Sequence, residues 1–63
     1  MNPYKNWVSV ICHQLAAWGY TEEANRVTML FNNGDYRLYS IYVTSVNSPG
    51  IDVMTVKDMV DNI

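Results

Sequence analysis

The stretch that decides the fold is YRLYSIYVTSV at residues 36–46, because it is compatible with either a strand or a helix. Aromatic and β-branched side chains make up most of it, which favours a strand on propensity alone. Read as a strand, both faces mix polar with apolar residues. Read as a helix, the polar residues Arg37, Ser40 and Thr44 gather on one narrow strip. We therefore predict a helix over residues 36–46, with an α+β fold that has a strand at 37–45 as the alternative.

Apolar residues cover roughly 220° of this predicted helix, which is more than one packed face requires. A small bundle can bury the side that carries Leu38, Ile41 and Tyr42. A second face with i, i+3, i+7 spacing then remains, formed by Tyr36, Tyr39 and Val43. An apolar face that is left in water is typical of a binding surface. We expect these three residues to lie at an interface with a partner or with a second copy.

Met29 is a fourth candidate for that interface, because it points away from the apolar side of its own segment and methionine adapts well to a contact surface. The aromatic content also favours a binding surface. Five tyrosines and two tryptophans are more than a domain of this size can fully enclose, and both residue types are enriched at binding hot spots. The alternative is that the aromatic rings form the core and only their polar atoms reach water.

Three other segments show helical periodicity, at residues 3–18, 22–33 and 53–62. Asn2, Thr21 and Asp52 are suitable caps for their first turns, and Asp35 is the corresponding cap for 36–46. Only three residues join the first two helices, so these must pack antiparallel as an αα-hairpin. The sequence thus predicts an all-α compact bundle of about four short helices, in one small domain that spans residues 1–63.

The length and the cysteine content indicate marginal stability. A chain of 63 residues buries only about 60% of the surface that its unfolded form exposes. Small domains often gain stability from a disulfide, a metal or an oligomeric partner. With Cys12 as its single cysteine the chain cannot form an internal disulfide. Self-association is the remaining aid, and the chain is expected to form a homo-oligomer.

The charges argue against binding to nucleic acid. The formal net charge is −2, and the four cations Lys5, Arg26, Arg37 and Lys57 lie far apart in the sequence. Affinity for nucleic acid comes mainly from clustered Lys and Arg side chains. We expect a partner that is a protein, with nucleic acid disfavoured.

The adjacent residues Cys12 and His13 suggest a nucleophile with its base. Neighbouring helical residues project about 100° apart, however, and the structural alternative is a half-buried thiol beside a solvated imidazole.

Asp58 and Asp61 lie three residues apart and could act as a pair of carboxylates, but the face that carries them is expected to be solvated. A zinc site needs about four ligands, which this chain does not offer in a recognisable spacing. We expect no catalytic residue, no metal and no cofactor.

Two functions follow from these observations. The first is a non-enzymatic protein-interaction module that self-associates and acts by binding another protein, for example to inhibit it, as a small phage- or plasmid-encoded regulator does. The alternative is a helix-turn-helix DNA-binding module, because two helices joined by a short glycine-containing turn have its outline. No apolar run is long enough to span a membrane, so the expected location is the cytoplasm, or a host cytoplasm for a viral gene.

Overall fold

The computed structural model describes residues 2–63, and these residues form four helices and no strand. The helices are α1 (Pro3–Ala17), α2 (Thr21–Asn32), α3 (Tyr36–Asn47) and α4 (Val53–Asp61). The all-α prediction is confirmed, and each predicted end lies within one residue of the observed one. The alternative strand at 37–45 is wrong. Only helical spacing brings Leu38 and Ile41 to the same side, where both are buried, and this packing outweighs the β-propensity of the segment.

Three of the helices begin at a side-chain cap. The Asn2 amide oxygen accepts from the Tyr4 backbone nitrogen at 3.1 Å. The Asp35 carboxylate accepts from the Arg37 backbone nitrogen at 2.9 Å. The Asp52 carboxylate accepts from the backbone nitrogen three residues ahead, also at 2.9 Å. The prediction of Thr21 as a cap is wrong. Thr21 is the first residue of α2, and Tyr20 occupies the cap position with no side-chain hydrogen bond.

The turn before α2 explains that difference. Gly19 has a φ of 90°, a left-handed conformation that glycine adopts without strain. The next backbone N–H, that of Tyr20, donates back to the Leu15 carbonyl at 2.8 Å. Gly34, with a φ of 66°, ends α2 in the same way. Because the chain reverses within so few residues, α2 starts immediately after the turn and Thr21 falls inside it.

All four helices contribute to one core. Its nine buried residues are Val8, Ile11, Leu15, Ala24, Val27, Leu38, Ile41, Val56 and Val60. All of them are aliphatic, and no polar residue among 2–63 is buried. The aromatic rings therefore lie outside the innermost layer, where they are half-buried or exposed.

Two side chains lie elsewhere than the periodicity predicts. Trp18 belongs to the apolar side of α1 by spacing, yet it is half exposed, since the helix ends at Ala17 and the chain turns away. By its spacing, Lys57 belongs to the polar side of α4, with Asp58 and Asp61. Its ammonium instead lies 4.8 Å from the centroid of the Tyr20 ring and 2.9 Å from the Asp61 carboxylate. It thereby joins α4 to the turn between α1 and α2.

Candidate protein-interaction surface

The helix α3 has two apolar faces with opposite environments. On one face, Leu38 is fully buried and Ile41 nearly so. On the other, Tyr36 is 77% exposed, Tyr39 49% and Val43 38%. The structure therefore brings the three predicted α3 residues together on one outward surface.

The surface continues to a residue that the sequence analysis did not assign to it. Val46 is 58% exposed and follows Val43 by three positions. Tyr36, Tyr39, Val43 and Val46, which we call the α3 stripe, have the 3-4-3 spacing of a coiled-coil seam and lie within about 80° of arc. The signal was present in the sequence as the next step of the i, i+3, i+7 pattern.

Tyr39 differs from the other members of the α3 stripe, because other rings hold it in place. Its ring packs edge-on against Tyr4, with 5.1 Å between centroids, and lies 5.6 Å from the ring of Tyr42. Edge-to-face aromatic pairs of this kind contribute about 0.5–1.5 kcal/mol beyond the area they bury. Half of Tyr39 is thus fixed against the domain, and the other half faces outward.

Those contacts belong to a larger group of rings at one end of the bundle. Tyr4 lies at its centre, 5.3 Å from Phe31 and 5.1 Å from Tyr42. We call the group the aromatic cluster, and its members are Tyr4, Trp7, Phe31, Tyr39 and Tyr42. It joins α1, α2 and α3. None of the tyrosines or tryptophans is fully buried, and Tyr4, Trp7 and Phe31 pack against the aliphatic core from outside.

The electrostatics near the aromatic cluster keep the Tyr4 phenol neutral. Burial raises its pKa above 10.0, and the neighbouring Asp35 carboxylate and the Tyr39 phenol raise it further. Asp35 itself is held ionised by Arg37, whose guanidinium nitrogen lies 2.7 Å from the carboxylate. The hydrogen bond from the Arg37 side chain, with that from its backbone N–H, lowers the pKa of Asp35 to about 2. The charges at the start of α3 thus form a neutral pair.

Met29, the fourth predicted interface residue, lies on another surface. It is 62% exposed on α2 and lines a shallow groove with Glu22, Arg26 and Leu30. None of the residues of the α3 stripe lines that groove. The role of Met29 at the interface remains a prediction.

Cys12 and His13 both border a groove of about 500 Å³ between α1 and α2. The Cys12 sulfur lies 3.5 Å from the Ala24 carbonyl oxygen and 3.3 Å from the Thr28 hydroxyl oxygen. The thiol is half-buried, as the structural alternative expected, and its polar contacts are to α2. The imidazole is exposed.

Among residues 2–63 there is no group of three or more His, Cys, Asp or Glu side chains that could hold an ion. Asp61 pairs with Lys57, and Asp58 lies exposed along the groove between α3 and α4. None of the four helices combines the length and the apolar character needed to cross a membrane.

No family model matches the chain, and no significant similarity to a curated protein or to a solved structure was found. The geometry of the α3 stripe is therefore the main indication of what the chain does.

Proposed function

We propose that the protein is a non-enzymatic interaction module that binds another protein chain through the α3 stripe. The observation that carries this proposal is the exposure of four apolar residues in register on a helix whose opposite face is already packed in the core. A helix that is apolar over more than one face is either central to its fold or covered by another molecule. The outward exposure of the stripe supports the second case, a partner that covers α3.

The exposed apolar area of the α3 stripe is large enough to support binding. Taking about 200 Å² for a tyrosine side chain, Tyr36 and Tyr39 together expose roughly 250 Å². Covering that area stabilises a complex by about 6 kcal/mol before the costs of association. Those costs are about 4–15 kcal/mol. The tyrosines alone therefore support weak binding, and the two valines of the stripe add to it.

Rigidity reduces the cost of binding at this surface. The stripe lies on a regular helix, and Tyr39 is held by its contacts with Tyr4 and Tyr42. An anchor that is fixed before binding loses less conformational entropy when a partner covers it. Tyr39 is accordingly the expected hot spot of the surface.

The charges favour a protein partner over DNA. In a helix-turn-helix, the second helix presents basic and amide groups at its start, whereas α2 begins with Glu22 and Glu23 in its first turn. Arg37 and Lys57 are engaged in ion pairs within the chain. Two of the four cations are thus already neutralised by carboxylates of the domain.

The experiment compares wild type with Tyr39→Ala and with Val10→Ala, which shortens a side chain that is similarly exposed but lies on α1. Affinity capture from the native host and sedimentation velocity measure association, and circular dichroism verifies folding. Tyr39→Ala should lose capture of the partner and Val10→Ala should retain it. Capture that is the same for all three chains would contradict the proposal.

A gel shift on mixed-sequence DNA at several salt concentrations provides the complementary measurement. A shift that weakens steeply with salt would indicate phosphate contacts and favour the helix-turn-helix function. No shift at low salt is the result expected for a protein-binding module.

A further inference from the structure

We propose that the partner on the α3 stripe is a second copy of this chain, with the two α3 helices packed antiparallel about a two-fold axis. This inference rests on the proposed function and makes it specific. Two properties of the stripe carry it, namely the distribution of side-chain size along it and its lack of net charge.

The large side chains of the stripe lie in the first half of α3 and the small ones in the second half. In an antiparallel pair centred on Ile41, Tyr36 faces Val46 of the other copy, and Tyr39 faces Val43. Every layer then combines one ring with one valine. Alternating large and small residues across a helix interface lets the layers interdigitate at a constant helix separation of about 8–10 Å.

A parallel pair lacks this match, because tyrosine would face tyrosine at one end and valine would face valine at the other. The helices would splay apart at the rings or leave a gap between the valines. The antiparallel arrangement is also the one in which the same patch serves both copies, as a two-fold interface requires.

The charge distribution permits this self-contact even though the chain carries a net charge of −2. The stripe has no charged member, and Arg37, the only charged residue within α3, is paired with Asp35 at 2.7 Å. The residues next to the stripe on the polar side of α3, Ser40 and Asn47, are uncharged. The remaining carboxylates lie on α2 and at or within α4, and none of them belongs to the stripe.

The area sets the expected strength. The two tyrosines and two valines expose less than the roughly 800 Å² per partner of a standard interface. The dimer is therefore expected to be weak and concentration-dependent, with monomer predominant at low micromolar concentration and dimer forming as the concentration approaches millimolar.

The test uses full-length chains with single charges at opposite ends of the stripe. Tyr36→Glu and Val46→Lys change exposed side chains that make none of the aromatic-cluster contacts, and each new charge suits its end of the α3 dipole. Sedimentation velocity is measured for each variant alone and for equimolar mixtures, with circular dichroism as the check on folding. Thr44→Lys adds the same charge to α3 outside the stripe and should dimerise like wild type.

Each end variant alone should dimerise about ten-fold more weakly than wild type, since a charge then faces an apolar side chain. An equimolar mixture of Tyr36→Glu with Val46→Lys should recover association to within about three-fold of wild type, because antiparallel packing brings the carboxylate and the ammonium together. A mixture of Tyr36→Glu with Tyr36→Lys should show no recovery. Those two charges meet only in a parallel pair.

Several results would overturn the inference. Recovery in the Tyr36→Glu and Tyr36→Lys mixture would show a parallel dimer, and unchanged dimerisation of the end variants would show that copies associate elsewhere. A wild-type chain that stays monomeric up to millimolar concentration would exclude the second copy as the partner. In that last case, capture of a different protein that Tyr39→Ala abolishes would leave the proposed function intact, which separates the two failures.

Discussion

The inner and outer faces of α3 both carry apolar side chains, but only the inner face is buried. Leu38 and Ile41 reach the centre of the bundle, where they lie among side chains from the other helices. Tyr36 and Val46 also present apolar surface, but both are more than half exposed. The comparison shows that hydrophobicity along a helix indicates how much of it has to be covered, whereas the number of neighbouring helices decides how much is covered within one chain.

The largest effect is expected on the inner face. Leu38→Ala leaves a cavity at a fully buried position and should lower the free energy of unfolding by about 2–5 kcal/mol. In a domain of this size that is enough to unfold much of the population at room temperature. Thermal melts followed by circular dichroism measure it.

Val43→Ala on the outer face of the same helix is the matched control and should change the melting temperature far less. Equal losses of stability in the two variants would contradict the distinction between the faces.

The second effect concerns the outer face. Tyr39→Ala should weaken association by about 1–2 kcal/mol or more, which is roughly 5- to 30-fold in the dissociation constant. Some loss of thermal stability accompanies it, because the ring also contacts Tyr4 and Tyr42. Sedimentation and partner titration are compared with thermal melts of the same samples.

Tyr39→Phe keeps the ring and should preserve most of both properties. If Tyr39→Ala melts like Leu38→Ala and associates like wild type, Tyr39 belongs to the core and the interface hypothesis fails.

A smaller effect is expected at acid pH, at the start of α3. Because Arg37 lowers the pKa of Asp35 from 3.8 to about 2, the ionised carboxylate stabilises the folded state above its ordinary pKa. That contribution should be lost as the pH falls from about 4 towards 2. Denaturant melts across this range measure it.

The comparison with Asp35→Asn isolates this contribution, since the pKa of Asp52 is also lowered, by the hydrogen bond from the Thr55 backbone N–H. The difference in stability between wild type and Asp35→Asn should be largest near neutral pH and should shrink as the pH falls through 3.8 to about 2 and below. A difference that does not change with pH would show that the Arg37 pair contributes nothing to folding.

The smallest effects are expected at Cys12 and His13. Cys12→Ser replaces the thiol near the Ala24 carbonyl with a smaller hydroxyl that can donate to the same oxygen, and His13→Ala removes an exposed side chain. Folding and association should both be retained, with a change of about 0.5 kcal/mol or less for His13→Ala. Loss of association in both variants with helicity intact would indicate a functional site in the groove between α1 and α2.

Each departure from the sequence prediction is caused by particular contacts that form in the folded chain. Thr21 did not become a cap because the Gly19 turn, closed by the bond from Tyr20 to Leu15, starts α2 one residue early. The Lys57 side chain does not extend into solvent, because its ammonium contacts the Tyr20 ring and the carboxylates of Glu23 and Asp61. A helical wheel treats each segment alone and contains no information on such contacts.

The sequence by itself determined the number, the type and the limits of the helices, since apolar periodicity, cap residues and glycines at the turns are local properties. It also determined that α3 carries more apolar surface than a small bundle can bury. Only the tertiary structure decided which part of that surface stays outside and that Tyr39 is fixed by the Tyr4 and Tyr42 rings. The physical reason is that burial and ring packing depend on how the helices are arranged around one another, and side chains from α1 and α3 meet only when the chain has folded.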